Sequence, residues 1–214
     1  MTVESDEPAW KQRAVERSLR TAKERAGQRV QKFLDAAQSI IVEKGTTDFT
    51  VQEVVERSQQ SLRSFYLQFD GKHELLLALY EDAVVRMTGQ IRAATENGSA
   101  PLEQFRLAVE LLYELCQPDP AARRPLFTEF APRLLISHPV EVRIAHASLF
   151  DLFTELLERV DESGHLRAGG DPRRLASMTM QTVMFIAQPA STDTHDHRIT
   201  ATEVWEFCAH GLTR

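Results

Sequence analysis

Residues 30–82 read VQKFLDAAQSIIVEKGTTDFTVQEVVERSQQSLRSFYLQFDGKHELLLALYED, and the spacing of apolar residues along them predicts three helices in quick succession. Val30, Phe33, Leu34, Ala37, Ile40 and Ile41 recur every three or four residues, the period of a helix with one buried face, and Gly45 follows as a natural stop. Thr50-Val51-Gln52-Glu53 is a capping box: the threonine hydroxyl accepts from the amide of residue 53, and Glu53 reaches back to the amide of residue 50. It opens a short helix through Arg57. Ser61 can cap the next, which carries Phe65 and ends near Phe69 before Asp70 and Gly71 break the chain. Helices of about two turns are marginal alone in water. These two must therefore pack on the first through Val54, Val55, Phe65 and Phe69.

The link between the two short helices, Ser58-Gln59-Gln60, is tight in the manner of a helix-turn-helix. The exposed face of the second would carry Gln60, Leu62, Arg63, Tyr66 and Leu67. Glutamine and arginine can bond base edges bidentately, and tyrosine can bond a phosphate.

Outward from this stretch the chain remains helical. A long helix is expected from near Lys72 to about Asn97, then five more near 101–117, 121–136, 139–162, 172–188 and 199–212. Pro101, Pro118-Asp119-Pro120, Pro139, Gly164 and Gly169-Gly170-Asp171-Pro172 mark their edges. Before the stretch, Trp10 to Ala26 reads as a helix whose weak apolar stripe needs a partner to become ordered. Few segments alternate as a strand would, so the fold class is all-α.

The 214 residues, 43% apolar and 26% charged, suit one ordinary domain or one domain with a small appendage, and they argue against disorder over most of the chain. No apolar run reaches the roughly 18 residues of a membrane span, and the acidic, polar start does not read as a secretory signal. Cys116 and Cys208 lie far apart with no metal-ligand spacing. A cytoplasmic protein with free thiols is expected. The net charge of −6 hides an asymmetry. Trp10 to Leu34 holds eight basic residues against Glu16 and Glu24, whereas Glu96 to the end holds 11 basic and 17 acidic residues. One end of the molecule is therefore built to approach a polyanion.

At this point residues 30–82 resemble the amino-terminal domain of TetR-type transcriptional regulators. The matching features are Ala36-Ala37, Lys44-Gly45, Thr50, Ser61, Phe65-Tyr66, Phe69, and Lys72 with Glu74-Leu75-Leu76. The resemblance implies a basic extension over 1–27, a helix-turn-helix DNA-binding domain over 28–72, and a helical effector-binding and dimerisation domain over 73–214. It further implies a homodimer on a palindromic double-stranded DNA operator, usually as a repressor. By this resemblance Ser61, Leu62, Arg63 and Ser64 face the groove, Tyr66 and Lys72 hold phosphates, and Thr50 joins them at the start of its helix. Two positions depart from the pattern, which usually has a glycine where Gln59 stands and a small apolar residue where Gln60 stands. A non-glycine in that turn at positive φ costs on the order of 1–2 kcal/mol. Either the turn is slightly strained, or Gln60 has been released from packing to read a base. In the extension, Arg13, Arg17 and Arg20 fall on one helical face, available to phosphates or an adjacent minor groove; the alternative is a solvated helix that packs on its own body, with Glu16–Arg20 as a surface pair.

In the carboxyl-terminal part, Phe127, Phe130, Leu134, Phe150, Phe153, Met178, Met184 and Phe185 offer the material of an apolar cavity. Each alone reads first as a core residue; together they suit a small lipophilic effector, fatty-acyl, acyl-thioester or steroid-like, rather than a sugar or nucleotide. The helices near 172–188 and 199–212 are candidates for a dimer-forming four-helix bundle, with Trp205 and Phe207 as anchors or as ordinary packing residues. Weaker signals take their plainer readings. His195-Asp196-His197 is a polar loop rather than a metal site, and His138 and His146 are surface or packing residues. Asn97-Gly98-Ser99 is a turn and Cys116 a small buried hydrophobe. No catalytic motif occurs and no cofactor is expected. An all-α enzyme or a helical adaptor acting on a lipophilic ligand would share the cavity but not the basic end with its Arg63, Tyr66 and Lys72.

Overall fold

The structure, a computed structural model, describes residues 8–96, 98–117, 126–187 and 199–213. It is all-α: α1 Ala9–Lys44, α2 Val51–Ser58, α3 Leu62–Tyr66, α4 Lys72–Thr95, α5 Pro101–Cys116, a π-helical turn Leu126–Phe130, then α6 Ala131–Ser137, α7 Pro139–Ala145, α8 Ala147–Glu162, α9 Pro172–Ile186 and α10 Ala201–Leu212. Among the described residues the only β-type pairing is an isolated bridge between Leu166 and Thr213. No described helix is long and apolar enough to cross a membrane. The chain forms two compact units, Met1–Glu43 with Asp48–Leu75, and Lys44–Thr47 with Leu76–Arg214.

In the first unit α1 is a single helix of 36 residues, in which the basic extension and the helix that follows it are continuous. The apolar positions explain this. Val15, Leu19, Ala22, Ala26, Val30, Phe33, Ala37 and Ile40 follow one another at spacings of four and three without a break, and one glycine at position 27 costs only about 1 kcal/mol against alanine. The line is buried from Phe33 onward and exposed at Val15 and Leu19. Gly45, at φ 66°, ends the helix. On this helix the two short ones are held by edge-to-face contacts of Phe33 with Phe65 and Phe69, at centroid distances of 5.4 and 6.2 Å. Arg57 of α2 adds a hydrogen bond to Ser39 of α1.

The second unit packs α8 against α9 and α5, with α10 on α5. Phe105 meets Phe153 and Trp205 edge-on at 5.7 and 6.1 Å, and Tyr113 donates to the carbonyl of Ile199 at 2.7 Å. Trp205 is thus packed within its own chain. Two expected helices are subdivided. The one expected over 121–136 is described from residue 126, where a π-helical turn precedes α6; Pro132, near the start of α6, has no N–H to donate back to the preceding turn, which widens. The one over 139–162 is divided at His146, although the amides of His146 and Phe150 still donate to the carbonyls of Val142 and His146 at 2.9 Å, so the hydrogen-bond ladder runs on across the division. Glu129 of the π-helical turn accepts from both hydroxyls of Thr46 and Thr47 and from the Thr47 amide, at 3.1–3.2 Å.

Candidate functional site

The helix-turn-helix is assembled by local bonds that the side chains themselves supply. Thr50 caps α2 in the full capping box: its hydroxyl accepts from the Glu53 amide at 3.2 Å, and its own amide donates to the Glu53 carboxylate at 2.8 Å. Gln59 takes the turn in the left-handed region, φ 55° and ψ 34°, the only non-glycine at positive φ among the described residues. Gln60 is half-buried, and its side-chain amide donates to the Gln59 carbonyl at 3.3 Å. Ser61 caps α3 by accepting from the Ser64 amide at 3.0 Å.

With Phe65 buried, α3 turns Leu62, Arg63, Tyr66 and the following Leu67 to the solvent. The Tyr66 ring stands edge-on to Phe65 at 5.4 Å, so its direction is fixed while its hydroxyl end is free to reach outward. Lys72, the first residue of α4, lies 3.8 Å from the Asp48 carboxylate and 4.8 Å above the Phe49 ring. Arg13, Arg17 and Arg20 are exposed on α1. Arg17 donates to the Arg13 carbonyl at 3.2 Å, and Arg20 pairs with Glu24 at 3.9 Å. An exposed arginine on a short, capped helix can bond a base edge or a phosphate, and a tyrosine hydroxyl beside it can bond a phosphate.

The second unit holds a cavity of about 1070 Å³ that is open to solvent on one side. Phe127, Val142, Phe150, Met180, Met184 and Phe185 are among its apolar lining, and Tyr80 of α4 and His146 between α7 and α8 form a polar pair on a wall that also carries Ser177, Gln181 and Thr182. The Tyr80 hydroxyl and His146 Nε2 are 2.5 Å apart and buried. Burial pushes the imidazole down to about 4 and the phenol well above its ordinary range, so both groups are neutral and share one hydrogen bond. Cys116 lines the same wall, and so do Arg143, Arg173 and Arg174.

Residues 33–79 match the family described as bacterial regulatory proteins, tetR family. This stretch, from Phe33 of α1 to Leu79 of α4, is similar to the amino-terminal domain of that family. One curated relative, the HTH-type transcriptional activator FasR of Mycolicibacterium smegmatis, is 25% identical over 137 residues, a match covering 64% of this chain and 60% of that protein's length. Solved structures share the fold across most of both chains. RolR, solved with resorcinol, has a TM-score of 0.66 at 16% identity and covers 88% of this chain and 87% of its own. FadR from Bacillus subtilis, solved with stearoyl-CoA, has a TM-score of 0.61 at 14% identity and covers 85% and 98%.

The candidate residues of the helix-turn-helix all fall in the first unit: Thr50 caps α2, Gln60 and Ser61 stand in the turn before α3, Leu62, Arg63, Ser64 and Tyr66 are on α3, and Lys72 opens α4. The candidate cavity residues divide. Phe127, Phe150, Met184 and Phe185 line the cavity. Phe130, Leu134 and Phe153 are buried in the packing, and Met178 points out to solvent. His146 is buried as a packing residue and also bonds Tyr80, a partner 66 positions away that no local pattern signals. His195-Asp196-His197 and Asn97 lie outside the described residues. The reading of the sequence missed Tyr80, Val142 and the three arginines. Tyr80 continues the helical stripe of Leu76 and Leu79, which was the available signal.

Proposed function

We propose that this protein is a ligand-responsive transcriptional regulator. It binds a palindromic DNA operator as a homodimer, acts as a repressor, and is released by a small lipophilic effector in the cavity of the second unit. One observation carries the DNA-binding reading. The five-residue α3 uses Phe65 for packing and leaves Leu62, Arg63 and Tyr66 exposed on a capped scaffold. Such a face contributes nothing to the unit's own core, and its residue types suit base edges, a thymine methyl and phosphate. Met178 and Phe185 of α9 and Phe207 of α10 support the dimer: they are 63%, 68% and 68% exposed, large apolar groups that a second copy would cover. Continuity of α4 supports the link between effector and DNA, since the same helix carries Lys72 in the first unit and Tyr80 on the cavity wall.

The test is a salt-titrated binding assay on duplex DNA drawn from upstream of the protein's own coding region, where a palindrome is sought. The expected result is sequence-selective affinity whose logarithm falls steeply with salt. Affinity that is neither selective nor salt-dependent refutes the reading. A promoter fusion reads the sign of control, which matters because FasR is named an activator.

A further inference from the structure

The charge of the cavity wall carries information that an apolar effector alone does not use. Arg143 of α7 and Arg173 and Arg174 of α9 line the cavity, whereas no aspartate or glutamate does among the described residues. This is a wall of one sign in a part of the chain where, from Glu96 onward, acidic residues outnumber basic ones 17 to 11. Local composition would have placed carboxylates there. Arg174 already pairs with Asp171 at 3.6 Å. Arg173 is held differently, its guanidinium 5.2 Å from the centroid of Phe150, itself a wall residue. An aromatic face orients a planar cation without neutralising it. Arg143 has no hydrogen-bond or ion-pair partner among the described residues. Both side chains are exposed, so they stand where the apolar wall gives way to solvent and a ligand's charged end could meet them with little desolvation. The polar groups nearer the buried side, Tyr80 and His146, are neutral and satisfy each other.

From this arrangement we infer that the effector is an amphipathic anion, its apolar body in the cavity and a carboxylate or phosphate head on Arg143 and Arg173. The inference rests on the cavity being the effector site, and it adds a head group that a purely lipophilic reading lacks. Guanidinium bonds to a carboxylate or phosphate are charge-assisted and planar, whereas a neutral alcohol gains no such pairing. A preference for the anion on the order of tenfold or more follows.

The test is calorimetric titration of the full chain with three ligands of one tail length, dodecanoate, dodecyl phosphate and dodecan-1-ol, each below its micellar concentration. At least one anion is expected to bind about tenfold or more tightly than the alcohol, and the tighter anion names the head. In the Arg143→Gln/Arg173→Gln variant that preference should collapse while the affinity for the alcohol is kept. Arg143→Lys, which keeps the charge, should retain part of it, and Arg159→Gln, whose arginine does not line the cavity, should retain all of it. Equal binding of alcohol and both anions overturns the inference and leaves the effector cavity standing, as does an anion preference that survives the double variant. Failure of all three to bind overturns the inference and the effector reading of the cavity together.

Discussion

Arg63 and Lys72 carry one charge each on the same unit, yet their surroundings differ. Arg63 is exposed on α3 without a partner among the described residues, whereas Lys72 is tied to Asp48 and Phe49 at the start of α4. Arg63→Ala should therefore cost about 1–3 kcal/mol more on the operator than on random DNA. Lys72→Ala should weaken both kinds of DNA similarly and lower the salt slope by about one unit. Equilibrium binding across a salt series checks both, and exchanged patterns would reverse the assignment. Gln59 holds a left-handed backbone that glycine adopts without steric cost. Gln59→Gly relieves on the order of 1–2 kcal/mol of strain and gives back part of it as unfolded-chain entropy. A rise in unfolding free energy of up to about 1 kcal/mol is expected in denaturant titration. His146 makes stability pH-dependent. Its folded value near 4 lies below the ordinary 6.5, so between these values the unfolded chain binds a proton that the folded chain refuses. The contribution is complete above pH 6.5 and is lost as pH falls toward 4, on the order of 3 kcal/mol in all. Denaturant midpoints measured across that window should slope in the native protein and flatten in His146→Gln.

Among the elements, α1 has most to reveal, because its first half extends beyond the buried part of its own apolar line. At about 100° per residue, Val15, Leu19, Ala22 and Ala26 continue the line of Phe33, Ala37 and Ile40, while Arg13, Arg17 and Arg20 occupy the opposite side. Surface pairing does not account for these arginines. The Arg20–Glu24 contact at 3.9 Å is between exposed groups, and such pairs contribute a few tenths of a kcal/mol at about the median. Deleting residues 1–26 should lower operator affinity and flatten its dependence on salt, because fewer counterions are released from the DNA. An unchanged slope with affinity intact would show that this half of α1 never meets DNA. The element boundaries also show how far local patterns reach. The capping box at Thr50, the stop at Gly45 and the aromatic positions of α3 are short-range features, and the structure keeps all three. The division at His146 carries no such mark, whereas the widened turn before Pro132 follows from a local proline that helical spacing alone does not report.

Assembly and control belong to the whole molecule. If α9 and α10 form the dimer, Phe185→Glu combined with Phe207→Glu should place charges in a desolvated interface and yield monomers in light scattering at micromolar concentration. Operator affinity should fall with them, since two reading heads about one helical turn of DNA apart, roughly 34–36 Å or a multiple of it, bind jointly. A double variant that remains dimeric would relocate the interface. Control by effector has an equally definite requirement. The ligand must bind the released conformation better than the DNA-bound one, because equal affinity shifts nothing.

Read by itself, the sequence determined the all-α class, the helix-turn-helix and the asymmetry of charge. Each of these is written in neighbours within about seven positions: caps, stops, three-and-four spacing, and a run of cations. Only the tertiary structure decided which aromatic residues bound the cavity. Phe153 and Phe150 lie on the same amphipathic helix, yet the first is buried against protein and the second faces open volume. Periodicity reports that a residue turns inward; whether it meets another side chain or a void depends on helices distant in sequence. For the same reason Tyr80 could find His146, and the arginines of α7 and α9 could share a wall with neutral groups, only once the second unit had packed.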